Sequence, residues 1–239
     1  LALSYYLCES LTMYDPMSLI DLEQYPINNE GVQRAEILAQ VQDDLSNFGC
    51  AVLKGFLSQN GIDTLKEQAD SVADQGFKSR SHTNPYFTKD DPSLPTSDPR
   101  RRFFDRSNSF IPADNFPKGS PLRSLYEFPA MTDFIRACLQ EDKFYPYADP
   151  LADVIVNAAE DGNGFPWHFD TNNYTVTLAI QNADQGGAFE YAPNIRTGGE
   201  NFPEVAAVLD GTSDKVRTLE LEPGDLQIFK GRYSLHRVT

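Results

Sequence analysis

The chain has 239 residues, 40% hydrophobic and 23% charged, with a formal net charge of −15 and a pI near 4.5. This length suits a single domain with ample core, and the acidic balance argues against a nucleic-acid surface, which needs clustered Lys and Arg. No apolar run approaches the ~18 residues of a membrane span; three scattered cysteines, Cys8, Cys50 and Cys138, exclude a disulfide framework and suit a reducing cytoplasm.

In chain order, residues 1–11 lack a basic n-region and do not read as a signal peptide. The chain starts without Met, so its stated ends need not be the natural ones. Ile37, Leu38, Val41, Leu45 and Phe48 fall on one helical stripe, and Gly49 is placed to stop that helix. The apolar run from Cys50 to Phe56 reads as a strand. Ser58 is a cap for a second helix with Ile62, Leu65, Ala69 and Val72 on its inner side, ending near Gly76. Residues 77–119 change character: prolines punctuate them, Arg100, Arg101, Arg102 and Arg106 cluster there, and aromatic residues are frequent. Disordered linkers are poor in aromatics, so this stretch is expected to be an ordered cover loop over a site.

Ser120-Pro121 signals the start of another helix, and Thr132 is a candidate cap for the next, with Phe134, Ile135, Cys138 and Leu139 inward. From Asp153 onward the period falls to two. Val154 to Asn157, Tyr174 to Ile180, Ala188 to Tyr191, Val216 to Leu221 and Leu226 to Phe229 read as strands. Helices followed by a run of strands predict an α+β fold. Residues 1–239 are expected to form one domain. Its 1–150 part is mainly helical and packs outside; its 151–239 part is a double-stranded β-helix core (jelly roll, cupin-like).

The chemistry is carried by Trp167-His168-Phe169-Asp170 and, near the end, Leu235-His236-Arg237. On an extended segment residues two apart share a side, so His168 and Asp170 can grip one ion while Phe169 packs away. His236 lies far downstream, on a strand that only tertiary structure can bring alongside. Two histidines and a carboxylate form the facial triad of non-heme Fe(II), which leaves three coordination positions open. A lone His-x-Asp is more often a hydrogen-bonded pair than a metal site; the strand, turn and strand around Pro223-Gly224-Asp225 and Gly231-Arg232 add the context in which a third ligand arrives.

The sequence resembles the Fe(II)/2-oxoglutarate-dependent dioxygenases, and more closely the radical halogenases and hydroxylases of free amino acids, the lysine halogenase relatives. The resemblance rests on Asn84-Pro85-Tyr86-Phe87-Thr88, Asp91-Pro92-Ser93-Leu94-Pro95, Tyr147-Ala148-Asp149-Pro150-Leu151-Ala152-Asp153, Gly162-Asn163-Gly164-Phe165-Pro166-Trp167-His168, Gly186-Gly187, Phe189-Glu190-Tyr191, Pro193-Asn194-Ile195-Arg196 and the last segment from Gly231 to Thr239. It runs from about residue 80 to the end.

The resemblance implies Fe(II), 2-oxoglutarate as cosubstrate and O₂, with His168, Asp170 and His236 as metal ligands and catalytic centre. Halogenases of this group carry Gly or Ala where hydroxylases carry the metal carboxylate. Asp170 therefore implies hydroxylation of an unactivated C–H bond in a free amino acid, a cationic one such as lysine among the candidates. A substrate carboxylate needs a basic partner, for which Arg106 comes first and Arg102 second. Asp153 is a candidate for a substrate amine, or else a strand-end cap. Thr171 and Asn172, directly after the carboxylate, either orient it or form a turn. His82 has no ligand role.

The group places a basic residue for the far carboxylate of 2-oxoglutarate a few positions beyond the distal histidine, which here falls beyond Thr239; Arg237 should face away from His236. Two other classes stay open, a 2-oxoglutarate oxygenase of peptidyl or lipid-linked substrates and a non-catalytic cupin-like binding protein. The expected partner is a small molecule, with no nucleic acid and no membrane; oligomeric state is not legible.

Overall fold

The computed structural model describes residues 14–239. Cys8 and the segment read as lacking a signal peptide lie outside the described residues. Helix α1 (Val32–Phe48) ends where Gly49 takes the left-handed conformation, φ 65°, and its N–H returns to the Leu45 carbonyl. A side chain there would strike Asn194 and Ser234, each 2.8 Å from an added Cβ, so the glycine serves both the turn and a close approach. Strand β1 (Cys50–Leu53) follows at once. Helix α2 (Gln59–Ser71) is capped by Ser58, whose hydroxyl accepts from the Gly61 N–H at 3.1 Å.

Helix α3 (Pro121–Tyr126) starts at Ser120-Pro121 as expected. Helix α4 (Pro129–Leu139) corrects the expected cap: it begins one turn before Thr132, with Pro129 at its first position, where the missing N–H costs nothing. Leu45, Leu65, Leu125, Phe134, Ile135 and Cys138 from these helices pack with Ala51, Leu53, Leu226 and Ile228 in one buried cluster. The helices thus lie on one face of a sheet.

The sheets are antiparallel throughout. One has the order β1-β9-β6, with β6 spanning Thr175–Leu178 and β9 Leu226–Phe229. A second runs β5-β10-β7-β8, with β5 Phe165–His168, β7 Phe189–Ala192, β8 Arg217–Leu219 and β10 Leu235–Val238. A third joins β2 (Phe77–Thr83), β3 (Phe104–Ile111) and β4 (Val156–Asn157).

Three features depart from the sequence reading. Strand β1, from the helical third, is an edge of a core sheet, because its apolar run pairs with Leu226 to Phe229. Residues 77–119 hold β2 and β3 rather than a continuous loop: Phe77 to Thr83 pairs in full register with Phe110 to Phe104, leaving the prolines mainly between and beyond the strands. The third lies among the strands, where helix α5 (Phe202–Leu209) buries Val205 and Val208.

Asp225 locks the turn into β9. It is 2% exposed and accepts from the Gly55 N–H at 2.9 Å, the Glu222 N–H at 2.9 Å and Lys54 Nζ at 2.8 Å. Burial opposes its charge, but the lysine and the two backbone donors outweigh it and hold its pKa below the ordinary value. A depressed carboxylate stabilises the fold fully above its unfolded pKa of ~3.9 and loses that contribution as pH falls through the lower folded value. Asp225→Ala, which removes these three charge-assisted hydrogen bonds, should cost about 1–3 kcal/mol in denaturant unfolding at pH 7. The difference from the unmodified protein should shrink below pH ~4. An unchanged midpoint at pH 7 would refute the assignment.

Candidate active site

Strands β5 and β10 lie side by side with His168 directly opposite His236. Their rings are 4.2 Å apart between centroids. Each Nδ1 faces a backbone carbonyl, Pro166 O at 2.7 Å from His168 and Ser234 O at 3.0 Å from His236. A carbonyl only accepts, so both Nδ1 atoms carry the proton and donate it. Both Nε2 atoms turn toward Asp170 Oδ1, at 3.8 Å from His168 and 3.4 Å from His236.

Burial, then the neighbouring His236, pushes His168 down to about 3, so its Nε2 presents a lone pair at neutral pH. Burial works against the Asp170 carboxylate, but contact with His236, the Thr175 hydroxyl and His168 prevails and brings it to about 2. One ligand atom from each of His168, Asp170 and His236 lies within 4.8 Å of the others. Convergent donors of this kind, two imidazole nitrogens and a carboxylate oxygen, fit a divalent first-row metal, Fe(II) among them. The hydrogen bonds to Pro166 and Ser234 fix the tautomers such a metal requires.

The period of two assigns the intervening residues. Trp167 and Phe169 point away and pack with Ala192, Ile195, Val205, Val208 and Leu235. Arg237 also faces away from His236, as expected: its guanidinium lies 4.8 Å from the Trp167 ring and Nε donates to Glu190 at 2.6 Å. Around the histidines stand Phe87 and Phe165, 5.6 and 6.4 Å from the His168 ring, and Phe189 and Phe229, 5.7 and 4.8 Å from the His236 ring. Phe87 arrives because the Pro85 carbonyl accepts from the Phe169 N–H at 2.9 Å, and because buried Asn84 bonds Tyr86, Thr88 and the Arg100 carbonyl.

The substrate candidates separate. Arg106, on β3, reaches the aromatic wall: its guanidinium lies 5.3 Å from the Phe87 ring and 5.1 Å from the Phe165 ring. Its Nε is buried without a hydrogen-bond partner. Burial lowers its pKa and the charge of Asp170 opposes that shift. Arg102 instead pairs with Asp210 at 2.5 Å at the end of α5. Asp153 pairs with Arg123 at 2.5 Å, and Arg123 also donates to the Ala113 and Phe116 carbonyls.

Thr171 and Asn172 are exposed; the Thr171 carbonyl accepts from Arg232. The hydroxyl that does reach the carboxylate is Thr175, on β6, donating to Asp170 Oδ2 at 2.6 Å. Sequence alone offered only strand parity as a signal for it, since Thr175 alternates with Tyr174 and Val176. His82 is exposed and pairs with Asp105 at 2.9 Å.

A His-Asp-His face between antiparallel strands, its histidines buried and its carboxylate half-buried, defines the 2-oxoglutarate/Fe(II) oxygenase class of fold. Solved structures share the fold. An oxidoreductase of the 2OG-Fe(II) oxygenase family from Burkholderia pseudomallei superposes with TM-score 0.52 at 12% identity, over 88% of this chain and 84% of that one. A Pseudomonas putida prolyl-4-hydroxylase gives 0.51 at 14% identity, over 85% and 91%. The non-heme α-ketoglutarate-dependent epimerase SnoN from nogalamycin biosynthesis gives 0.54 at 10% identity, over 85% and 75%.

The chain belongs to the HalD (Halogenase D) family, whose family model matches residues 32–239. It is an oxygenase of the 2-oxoglutarate/Fe(II) class, with Fe(II), 2-oxoglutarate and O₂ as the implied cofactor and cosubstrates. No curated protein matches the sequence. Among the described residues no helix is long and apolar enough to cross a membrane.

Proposed function

We propose that this enzyme hydroxylates an unactivated C–H bond of a free amino acid, with His168, Asp170 and His236 holding Fe(II). The single observation that carries the reading is the intact Asp170 carboxylate, turned to the same point as the two histidine Nε2 atoms. In a family named for halogenation, a carboxylate there fills the position a halide would need. The balanced reaction takes R–H, O₂ and 2-oxoglutarate to R–OH, succinate and CO₂; bound Fe(II) supplies the oxidation chemistry. The sheets β1-β9-β6 and β5-β10-β7-β8 are read as the two walls of a double-stranded β-helix. One domain is proposed for the whole chain, and its free buried thiols Cys50 and Cys138 suit a cytoplasmic setting.

The protein's own residues have three tasks. The histidines, fixed through Nδ1, present lone pairs. The rings of Phe165, Phe189 and Phe229, with Phe87 at the exposed rim, limit water at the reacting bond. Arg106 receives the substrate carboxylate: a guanidinium held 5.3 and 5.1 Å from the Phe87 and Phe165 ring centres presents a planar fork that matches a carboxylate's pair of oxygens. Its positive charge beside the metal face favours the carboxylate end of an amino acid over its ammonium end.

The test is a screen of free amino acids with Fe(II), 2-oxoglutarate and O₂. Substrate-dependent succinate and a product heavier by one oxygen atom are expected. Succinate release stimulated by peptides and by none of the free amino acids would overturn the substrate class. A complete lack of turnover with bound metal would favour a binding protein.

A further inference from the structure

We infer that Thr175 and Gly231 form a clamp that fixes the rotation of the Asp170 carboxylate, so that it offers a metal one oxygen and withholds the other. The inference rests on the metal reading above and concerns residues outside the triad. Two contacts define it. Thr175 donates to Asp170 Oδ2 at 2.6 Å, while Oδ1 is the oxygen that faces both histidines. The backbone of Gly231 lies close against the same oxygen and the carbon atoms behind it. A Cβ added at Gly231 would lie 1.9 Å from Oδ2, 2.6 Å from Cγ and 2.8 Å from Cβ of Asp170.

Gly231 is not in the left-handed region, so glycine is required there for space and not for conformation. The Asp170 N–H also donates to the Gly231 carbonyl at 3.1 Å, which holds the two backbones together. The clamp follows from the fold. Thr175 pairs across the sheet with Phe229, and Gly231 begins the turn just beyond that strand. One strand pair thus brings both a hydroxyl and a bare backbone to Oδ2 of the carboxylate.

The consequence is coordination number. A carboxylate free to rotate can ligate through both oxygens and take a fourth position on the metal. Held through Oδ2 by Thr175, it occupies one. With the two histidines, three positions then stay open, two for the bidentate oxoacid end of 2-oxoglutarate and one for O₂. Thr175 and Gly231 are positioning residues: they act through Asp170.

The test uses the full chain with Co(II) in place of Fe(II), read anaerobically by titration and by visible absorption, whose intensity changes with coordination number. Thr175→Val keeps the shape and removes the donor. It should weaken Co(II) binding ~10–100-fold and alter the absorption band, while Thr175→Ser should restore both. Gly231→Ala should lose Co(II) binding with the far-ultraviolet circular dichroism of a folded protein. If Gly231→Ala does not fold, the Thr175 pair decides alone. Unmodified affinity and spectrum in Thr175→Val would overturn the clamp. Asp170→Ala separates the two readings: if it too binds Co(II) like the unmodified protein, the metal site itself is wrong. If it loses Co(II) while Thr175→Val does not, only the clamp fails.

Discussion

Asp170→Gly should lower hydroxylation of the true substrate more than ~100-fold, because it removes one of three protein ligands where loss of a mere supporting contact already costs 10–100-fold. The carboxylate is also the only anionic member of the proposed ligand set, so a divalent ion loses its charge partner. The vacated position should accept chloride. Whether chlorinated product then forms depends on where the substrate's C–H bond sits, since placement decides which group is transferred. Product analysis in high chloride is the measurement. The unmodified enzyme should give predominantly hydroxylated product. Predominantly chlorinated product from it would sink the hydroxylase reading, as would full hydroxylation surviving in Asp170→Gly.

Arg106→Ala is expected to reduce kcat/KM for the true substrate ~100-fold, the equivalent of about 3 kcal/mol for a charge-assisted pair in a partly dry site. Arg106→Lys should recover only part of this, because an ammonium does not present a planar fork. Neither variant should lower Tm much: the Nε of Arg106 is buried without a partner, so the folded protein carries a cost there that alanine removes. A structural arginine would behave the other way, with Tm falling and kcat/KM little changed. A rise in KM for 2-oxoglutarate with the substrate KM unaltered would move Arg106 to the cosubstrate carboxylate.

The contrast between Arg106 and Arg102 shows what residue type alone leaves open. The two are four residues apart in one Arg-rich stretch, and nothing local distinguishes them. Arg102 is claimed by Asp210, at the end of a helix that the sequence reading did not contain. That helix is short and valine-bearing, with Pro203 near its start. Its length and periodicity give little signal, and packing of Val205 and Val208 under Trp167 and Phe169 is what makes it worth forming.

What the sequence by itself determined were features set by local stereochemistry. Period-two alternation put His168 and Asp170 on one side of an extended segment and Trp167 and Phe169 on the other. The stripe of α1, the stop at Gly49 and the cap at Ser58 follow from helical period and from hydrogen bonds made within a few residues. Tertiary structure decided everything that depends on which strand lies beside which. The register that sets His236 opposite His168, the recruitment of Cys50 to Leu53 into a core sheet, and the arrival of Gly231 against Asp170 all span long stretches of chain. Strand pairing over such separations is chosen by the packing of the whole sheet and not by any segment's own preference, so a nearby Thr171 could look like the carboxylate's partner while the hydroxyl that reaches it comes from the next strand.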